Sequence, residues 1–285
     1  MLKRIRRSLA FRLPPLYKRL LKYKKLRAVE KPRTDTSVVI MTGKKFLPLF
    51  RMSVYSISQK WNMLPKLTVV NDGSVSDDEI LAHIRFWKGE VNIQHYTHSV
   101  NYHAQKGRNA LVRFAENHIF GIKMAIILHH AELDPVLWVD SDILFFKDPH
   151  CHIPAGKPDF SCGVTEDWYR AYDPSVLDIL PDNKLSETPG MNAGMLYASG
   201  KTIYEKFGLE HLLNQLHPTY HFFTEQTLFA HIASHSLGIL WDQSLVKNSS
   251  DDKKELRAKN TSSMIARHYT SHMRLLFWRD AMFDL

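Results

Sequence analysis

The sequence is poor in cysteine. Cys151 and Cys162 are too few for a disulfide framework, and neither stands with histidine at zinc-finger spacing, so both read as reduced thiols. Long apolar runs are missing too: none approaches the roughly 20 residues of a membrane-spanning helix, and a bilayer-spanning chain is not expected. There is no internal repeat, and no low-complexity tract beyond the N-terminal segment. With 44% hydrophobic and 24% charged residues, the 285 residues suit a globular protein and not a disordered one.

What the chain does have is an uneven distribution of charge. Residues 1–33 carry 13 Lys and Arg against one acid, Glu30, while the whole chain sums to only +9. The remainder is therefore slightly acidic. In "MLKRIRRSLAFRLPPLYKRLLKYKKLRAVEK" the basic residues alternate with Leu, Ile, Phe and Tyr, which suits a helix or helix pair on an anionic membrane surface through residues 1–30. A solvated basic arm is equally compatible with this composition, and an Arg-rich, acid-poor transit peptide is a lesser alternative. Nucleic acid is not expected as a partner, because the body offers no second basic patch interleaved with aromatics. Arg12 interrupts the one short apolar segment, which weighs against a cleaved signal. The expected division is a basic tail over 1–33 and one catalytic domain over 34–285. The expected location is the cytoplasm, with a peripheral place at the inner face of a membrane as an option.

Beyond Pro32 strand and helix patterns alternate. "TSVVIMT" (36–42), "KLTVVNDGS" (66–74) and "VNIQHY" (91–96) read as strands, separated by helical patterns over 46–61 and over 75–89, the latter capped near Ser76. Helices are expected at 103–118 and 120–131, then a strand in "PVLWVDS". This is the rhythm of an open, mostly parallel sheet flanked by helices, in which ligands bind beyond the carboxyl ends of strands.

The stretch "VLWVDSDILFF" (136–146) sets Asp140 and Asp142 inside an apolar run. A buried carboxylate must be neutralised, paired or given a cation. If the segment stays extended, residues i and i+2 share a face, and both carboxylates converge on one Mg²⁺ or Mn²⁺. The bland reading is a turn in which the two side chains bond local amides.

From residue 120 onward the landmarks resemble the nucleotide-sugar-dependent glycosyltransferases of the GT-A fold, most closely family 8, that of glycogenin. They are "FGIKMAIILHHAELDPVLWVDSDILFFKDP" (120–149), "DFSCGVTED" (159–167), "GMNAGMLYAS" (190–199), "FTEQTLFAHI" (223–232) and "RHYTSH" (267–272), in family order. The strand end "VVNDGS" instead resembles family 2. The resemblance implies a Rossmann-like α/β domain and a divalent cation, Mn²⁺ or Mg²⁺. It also implies a nucleoside-diphosphate sugar as donor, a UDP-sugar foremost, and a glycan or lipid-linked acceptor.

Residue by residue, the resemblance implies that Asp140, Asp142 and His268 hold the metal, with His272 as the competing histidine. Asp72 and Thr42, at the first two strand ends, would hold the nucleoside. Lys123, Asp140, Ser141, Gly194 and Arg274 would meet the nucleotide, Arg274 standing where the family has Lys; the family's preceding Gly is absent. Asn192, Glu225, Gln226, Glu166 and Asp167 are the expected catalytic and sugar-facing residues. Each has a structural alternative, as a core bend, a helix cap or an exposed loop. Retention of anomeric configuration is the family 8 outcome. A nucleotidyltransferase is the competing enzyme, although "MTGKKF" (41–46) is only a faint phosphate loop. A non-catalytic membrane-associated adaptor is the competing non-enzyme.

Overall fold

The computed structural model describes residues 2–154, 160–248, 256–257 and 261–285, apart from the side chains of Lys3 and Arg7. Asp159, the first residue of one expected strand, lies outside them. Among the described residues ten strands form two sheets. The larger has seven: β1 (Arg33–Thr42), β2 (Leu64–Asn71), β3 (Val91–His95), β4 (Val136–Val139), β6 (Ser161–Asp167), β7 (Gly190–Ser199) and β8 (Gly238–Trp241), in the order β3-β2-β1-β4-β7-β6-β8. Within it β7 alone runs antiparallel to its neighbours. The smaller joins β5 (Ile143–Phe145), β10 (Ala266–His268) and β9 (Val246–Lys247).

The central strands are apolar on both faces because helices cover both. Val38, Ile40, Leu137 and Val139 pack toward helices Leu47–Lys60 and Arg274–Asp284, while Val39 and Trp138 pack toward helices Asn109–Asn117, Ile119–Leu133 and Thr224–Ser234. Continuous burial of this kind is what parallel strands between two helical layers require. Ile40 pairs with Val69, and Val39 with Trp138, so the ends of β1, β2 and β4 lie along one edge of the sheet.

Several expected boundaries shift for local reasons. The helix expected over 103–118 is two helices, Thr97–Gln105 and Asn109–Asn117, because Gly107 takes a left-handed φ of 73° that an α-helix cannot continue. The helix expected over 75–89 spans only Asp77–His83, and Ser76 does cap it, its Oγ accepting from the N–H of Glu79 at 3.2 Å. Strand β4 stops at Val139, so Asp140 and Asp142 do not share a strand face; the next residues form a turn in which the Ile143 N–H donates to the Asp140 carbonyl at 3.1 Å.

The basic segment forms helices Leu2–Arg12 and Pro14–Tyr23, divided at the prolines. The second packs on the body: Leu21 is buried, Tyr17 meets Phe283 edge to face, and Arg51 donates to the carbonyls of Leu21, Lys22 and Lys24 around the helix end. Among the described residues no helix is long and apolar enough to cross a membrane.

Lys123 owes its position to a close helix contact. A Cβ at Gly121 would lie 2.3 Å from the backbone of Phe114 in the neighbouring helix, closer than any real contact. Gly121→Ala should therefore push the two helices apart and lower the unfolding free energy by about 1–3 kcal/mol, read as a fall in the urea midpoint at unchanged m-value.

Candidate functional site

A cleft of about 760 Å³ opens at the carboxyl edge of β4. At its floor Asp140 follows β4 directly. Its N–H donates to the carbonyl of Gly194 at 2.8 Å, and its Oδ1 accepts from the Trp138 indole at 2.7 Å. Lys123, one layer behind, reaches Asp140 at 3.2 Å and donates to the Ala193 carbonyl at 3.0 Å. Both carbonyls lie where β7 bulges: Val164 and Thr165 are adjacent on β6, yet face Leu196 and Asn192 on β7. The bulge turns Asn192 into the cleft and frees two main-chain acceptors for the carboxylate and its lysine.

Asp142, past the turn, faces the other layer. Its carboxylate accepts from Arg274 Nε at 2.7 Å and lies 3.3 Å from His268 Nε2, which is also 3.6 Å from Asp140. Burial alone would raise its pKa, but the imidazole and guanidinium overcome that and hold it down at about 2. For His268, burial opposes the charge and the two carboxylates favour it; they prevail, and its pKa is raised.

The histidine's tautomer is decided on its far side. Nδ1 of His268 faces the carbonyl oxygens of Asn192 at 3.1 Å and Asn248 at 3.0 Å. Each amide is oriented by its own NH₂. That of Asn192 donates to Asp167 and Gln226, and that of Asn248 to Thr165 and the Glu166 carbonyl. Two acceptors at Nδ1 keep one proton there, so the second proton of the charged ring sits on Nε2 toward the carboxylates, where a bound cation would displace it. This is the arrangement of a metal-ligating histidine with its outer hydrogen bonds already made. One donor atom each from Asp140, Asp142 and His268 lies within 4.8 Å of the others, and adjacent ligands of an octahedral ion stand about 3 Å apart. The residues fit a divalent cation, and a set of two oxygens and one nitrogen admits Mn²⁺ as readily as Mg²⁺.

Glu225, in the first turn of its helix, is buried 3.6 Å from Lys123, and one carboxylate oxygen has no hydrogen-bond partner. Burial pushes its pKa up to about 7, against the pull of Lys123. Gln226 anchors itself to the Ala171 carbonyl and meets Asn192 across the cleft.

The structure thus gathers Lys123, Asp140, Asp142, Asp167, Asn192, Gly194, Glu225, Gln226, His268 and Arg274 around one cleft. His268 joins the carboxylates, whereas His272 lines the wall outside that cluster. The bland reading of the D-x-D was half right in that it is a turn; its carboxylates, however, bond Trp138, Lys123 and Arg274. Four expected site residues are not among those lining the cleft. Glu166 accepts from the Gln243 N–H at 3.0 Å, fastening the loop before β9. Asp72 accepts from the N–H and hydroxyl of Ser74 at the end of β2, Thr42 is a buried hydroxyl without a partner, and Ser141 sits in the turn itself; none of the four lines the cleft.

Sequence reasoning missed Asn248, the second acceptor for His268, and the exposed aromatics Trp168, Tyr169 and Phe222 at the cleft's rim. Nothing in the local sequence marks Asn248. The pair "WY" after an acid-ended strand was a usable signal. Ser271, also in the wall, takes a left-handed φ of 47° at the place where the resembled motif has its glycine.

No protein-family description matches the sequence, and no curated protein is significantly similar to it. Solved structures do match. Mouse xyloside xylosyltransferase 1 superposes with a TM-score of 0.58 at 15% identity, over 84% of this chain and 99% of that one. The galactosyltransferase LgtC, solved with donor and acceptor sugar analogues, gives 0.57 at 11% identity, over 83% and 88%. The bifunctional glycosyltransferase WbbM gives 0.55 at 14% identity over 86% of this chain, which spans about half (47%) of WbbM. The chain has the GT-A glycosyltransferase fold.

Proposed function

We propose that this chain is a metal-dependent glycosyltransferase of the family 8 kind. It moves a sugar from a nucleoside-diphosphate sugar, a UDP-sugar foremost, to an acceptor hydroxyl of a glycan or lipid-linked saccharide, with retention. The observation that carries the proposal is the convergence of Asp140, Asp142 and Nε2 of His268 beside Lys123, in a cleft at a strand end. A divalent ion held there by Asp140, Asp142 and His268 would supply Lewis-acid stabilisation to the departing nucleoside diphosphate.

The chain's own groups supply the rest. Lys123 stays protonated because Asp140 and Glu225 offset its burial, and so adds a fixed positive charge where phosphate would sit. The amides of Asn192 and Gln226 and the carboxylate of Asp167 give the sugar a polar wall, and Trp168, Tyr169 and Phe222 offer flat apolar faces to an acceptor at the rim. Arg274 is spent on Asp142 in this geometry, so a diphosphate contact from it requires that ion pair to loosen. Asp167 accepts from Asn192, and Glu225, its pKa pushed up to about 7, is about half ionised at neutral pH. Same-face attack, in which the leaving phosphate takes the acceptor's proton, rests on the family 8 resemblance.

The exposed faces of the two N-terminal helices mix Leu2, Ile5, Phe11, Leu16, Leu20 and Tyr23 with basic residues, which supports a peripheral site on an anionic membrane.

The direct test incubates the protein with Mn²⁺ and a panel of sugar nucleotides. Release of nucleoside diphosphate supports the proposal, pyrophosphate indicates nucleotidyl transfer, and no product at any donor refutes it. Asp142→Asn keeps the shape and removes the charge, so turnover should fall by about 10²-fold or more, with Mn²⁺ affinity reduced in parallel. A second expectation concerns Glu225. Its folded pKa, about 7, stands above its ordinary 4.5, so the proton it holds favours the folded state at low pH and that advantage is lost as pH rises through about 7. Glu225→Gln should therefore gain stability relative to the parent between about pH 5 and pH 8, by up to about 3 kcal/mol in urea titrations. At the membrane face, Arg4→Glu with Arg6→Glu should cut sedimentation with phosphatidylserine vesicles about tenfold or more at low salt, at about 1 kcal/mol per charge, with turnover on a soluble donor unchanged.

A further inference from the structure

The helix Thr224–Ser234 carries Glu225 and Gln226 into the cleft at its start, and a second cluster of potential ligands gathers at its other end, about 15 Å away along the axis. His231 and His235 are four residues apart and share a face. Opposite them stands Asp182, in the turn between helices Pro174–Ile179 and Lys184–Glu187. One donor atom from each of the three lies within 4.8 Å of the other two.

The contacts around this cluster bring the three ligating groups face to face and leave one of them unpaired. Nδ1 of His235 faces the His231 carbonyl at 3.0 Å, and its Nε2 lies 2.9 Å from Asp182 Oδ2, a contact closed either by a proton on Nε2 or by a metal ion in its place. A lone pair facing a carboxylate is repulsive unless a proton or a metal ion lies between them. Asp182 is itself fixed from behind, its Oδ1 accepting from the Lys184 N–H at 3.0 Å. The third member is the independent sign: His231 is 2% exposed, yet its Nδ1 has no hydrogen-bond partner, against the ring of Phe207 at 5.6 Å. A buried imidazole nitrogen left unpaired is destabilising, and ligation through it would remove that cost.

We propose that Asp182, His231 and His235 form a Zn²⁺ site separate from the cleft, which ties the far end of the Glu225 helix to the 180–184 turn. Two imidazoles and one carboxylate suit zinc over magnesium, and the partly exposed His235 and Asp182 leave room for water as fourth ligand. Tetrahedral ligands at zinc distances stand about 3.4 Å apart, so small rotations of the side chains close the cluster.

The experiment uses the full chain carrying Asp142→Asn, which disables the cleft cluster, stripped with a chelator and titrated with Zn²⁺ alone against a chromophoric competitor. One equivalent of zinc should bind and raise the unfolding midpoint, and Co²⁺ in its place should show the visible absorption of a tetrahedral centre. Adding His235→Ala, or separately Asp182→Asn, should weaken the zinc affinity about tenfold or more and abolish the rise in midpoint. Both substitutions are at partly exposed positions, so they test ligation without emptying the core as His231→Ala would. The proposal is overturned if the Asp142→Asn protein binds no zinc, or if zinc binds as well after either further substitution.

Discussion

Two carboxylates placed within one turn of a parallel strand's end are the constraint on which this structure turns. Asp142 is 4% exposed, and two like charges in a poorly solvated place raise each other's free energy unless cations stand close. The fold draws those cations from both of its helical layers. Lys123 comes from the helix behind β4, and His268 and Arg274 come from the strand and helix in front of it. Each layer's packing is therefore also the positioning of one side of the cleft.

The supporting contacts show how tightly the layers are coupled to that task. Gly194 has no side chain because His268 occupies the space: a Cβ there would lie 2.1 Å from the imidazole ring. Strand β10, which carries His268, is held to the final helix by a buried cluster in which Asp280 accepts from Arg267 at 3.1 Å and from Tyr269 at 2.6 Å, with Arg279 on its other oxygen. A charge cluster of that depth stabilises only when every member is paired. On the other side Arg108 and Lys106 converge on Glu132 at the end of the helix that presents Lys123. The cleft's electrostatics thus rest on two buried ion networks, one in each layer.

Much of this was legible in the residues. The period-two and period-3.6 patterns marked the alternation of strands and helices, because burial on both faces demands near-continuous apolar strands such as "VLWV". The apolar flanks of Asp140 and Asp142 marked the carboxylates as needing a partner, and the order of later landmarks marked Lys123, Asn192, Gln226 and His268 as neighbours. Less legible were features that depend on backbone detail. The turn after Val139 and the bulge in β7 arise from pairing with neighbouring strands, and strand pairing is a long-range property.

What the sequence determined by itself is therefore the class of sheet, the buried acidic pair and the kind of chemistry such a pair invites. Those follow from local composition and spacing. Tertiary structure alone decided which atoms face which. It assigned the proton of His268 to Nδ1 through Asn192 and Asn248, residues 56 positions apart in the chain. It took Glu166 out of the cleft and into a loop contact, set the N-terminal basic helix Pro14–Tyr23 against the last helix, and brought Asp182 to His231 and His235. None of these has a local signal, because each is a contact between side chains whose separation in sequence says nothing about their separation in space.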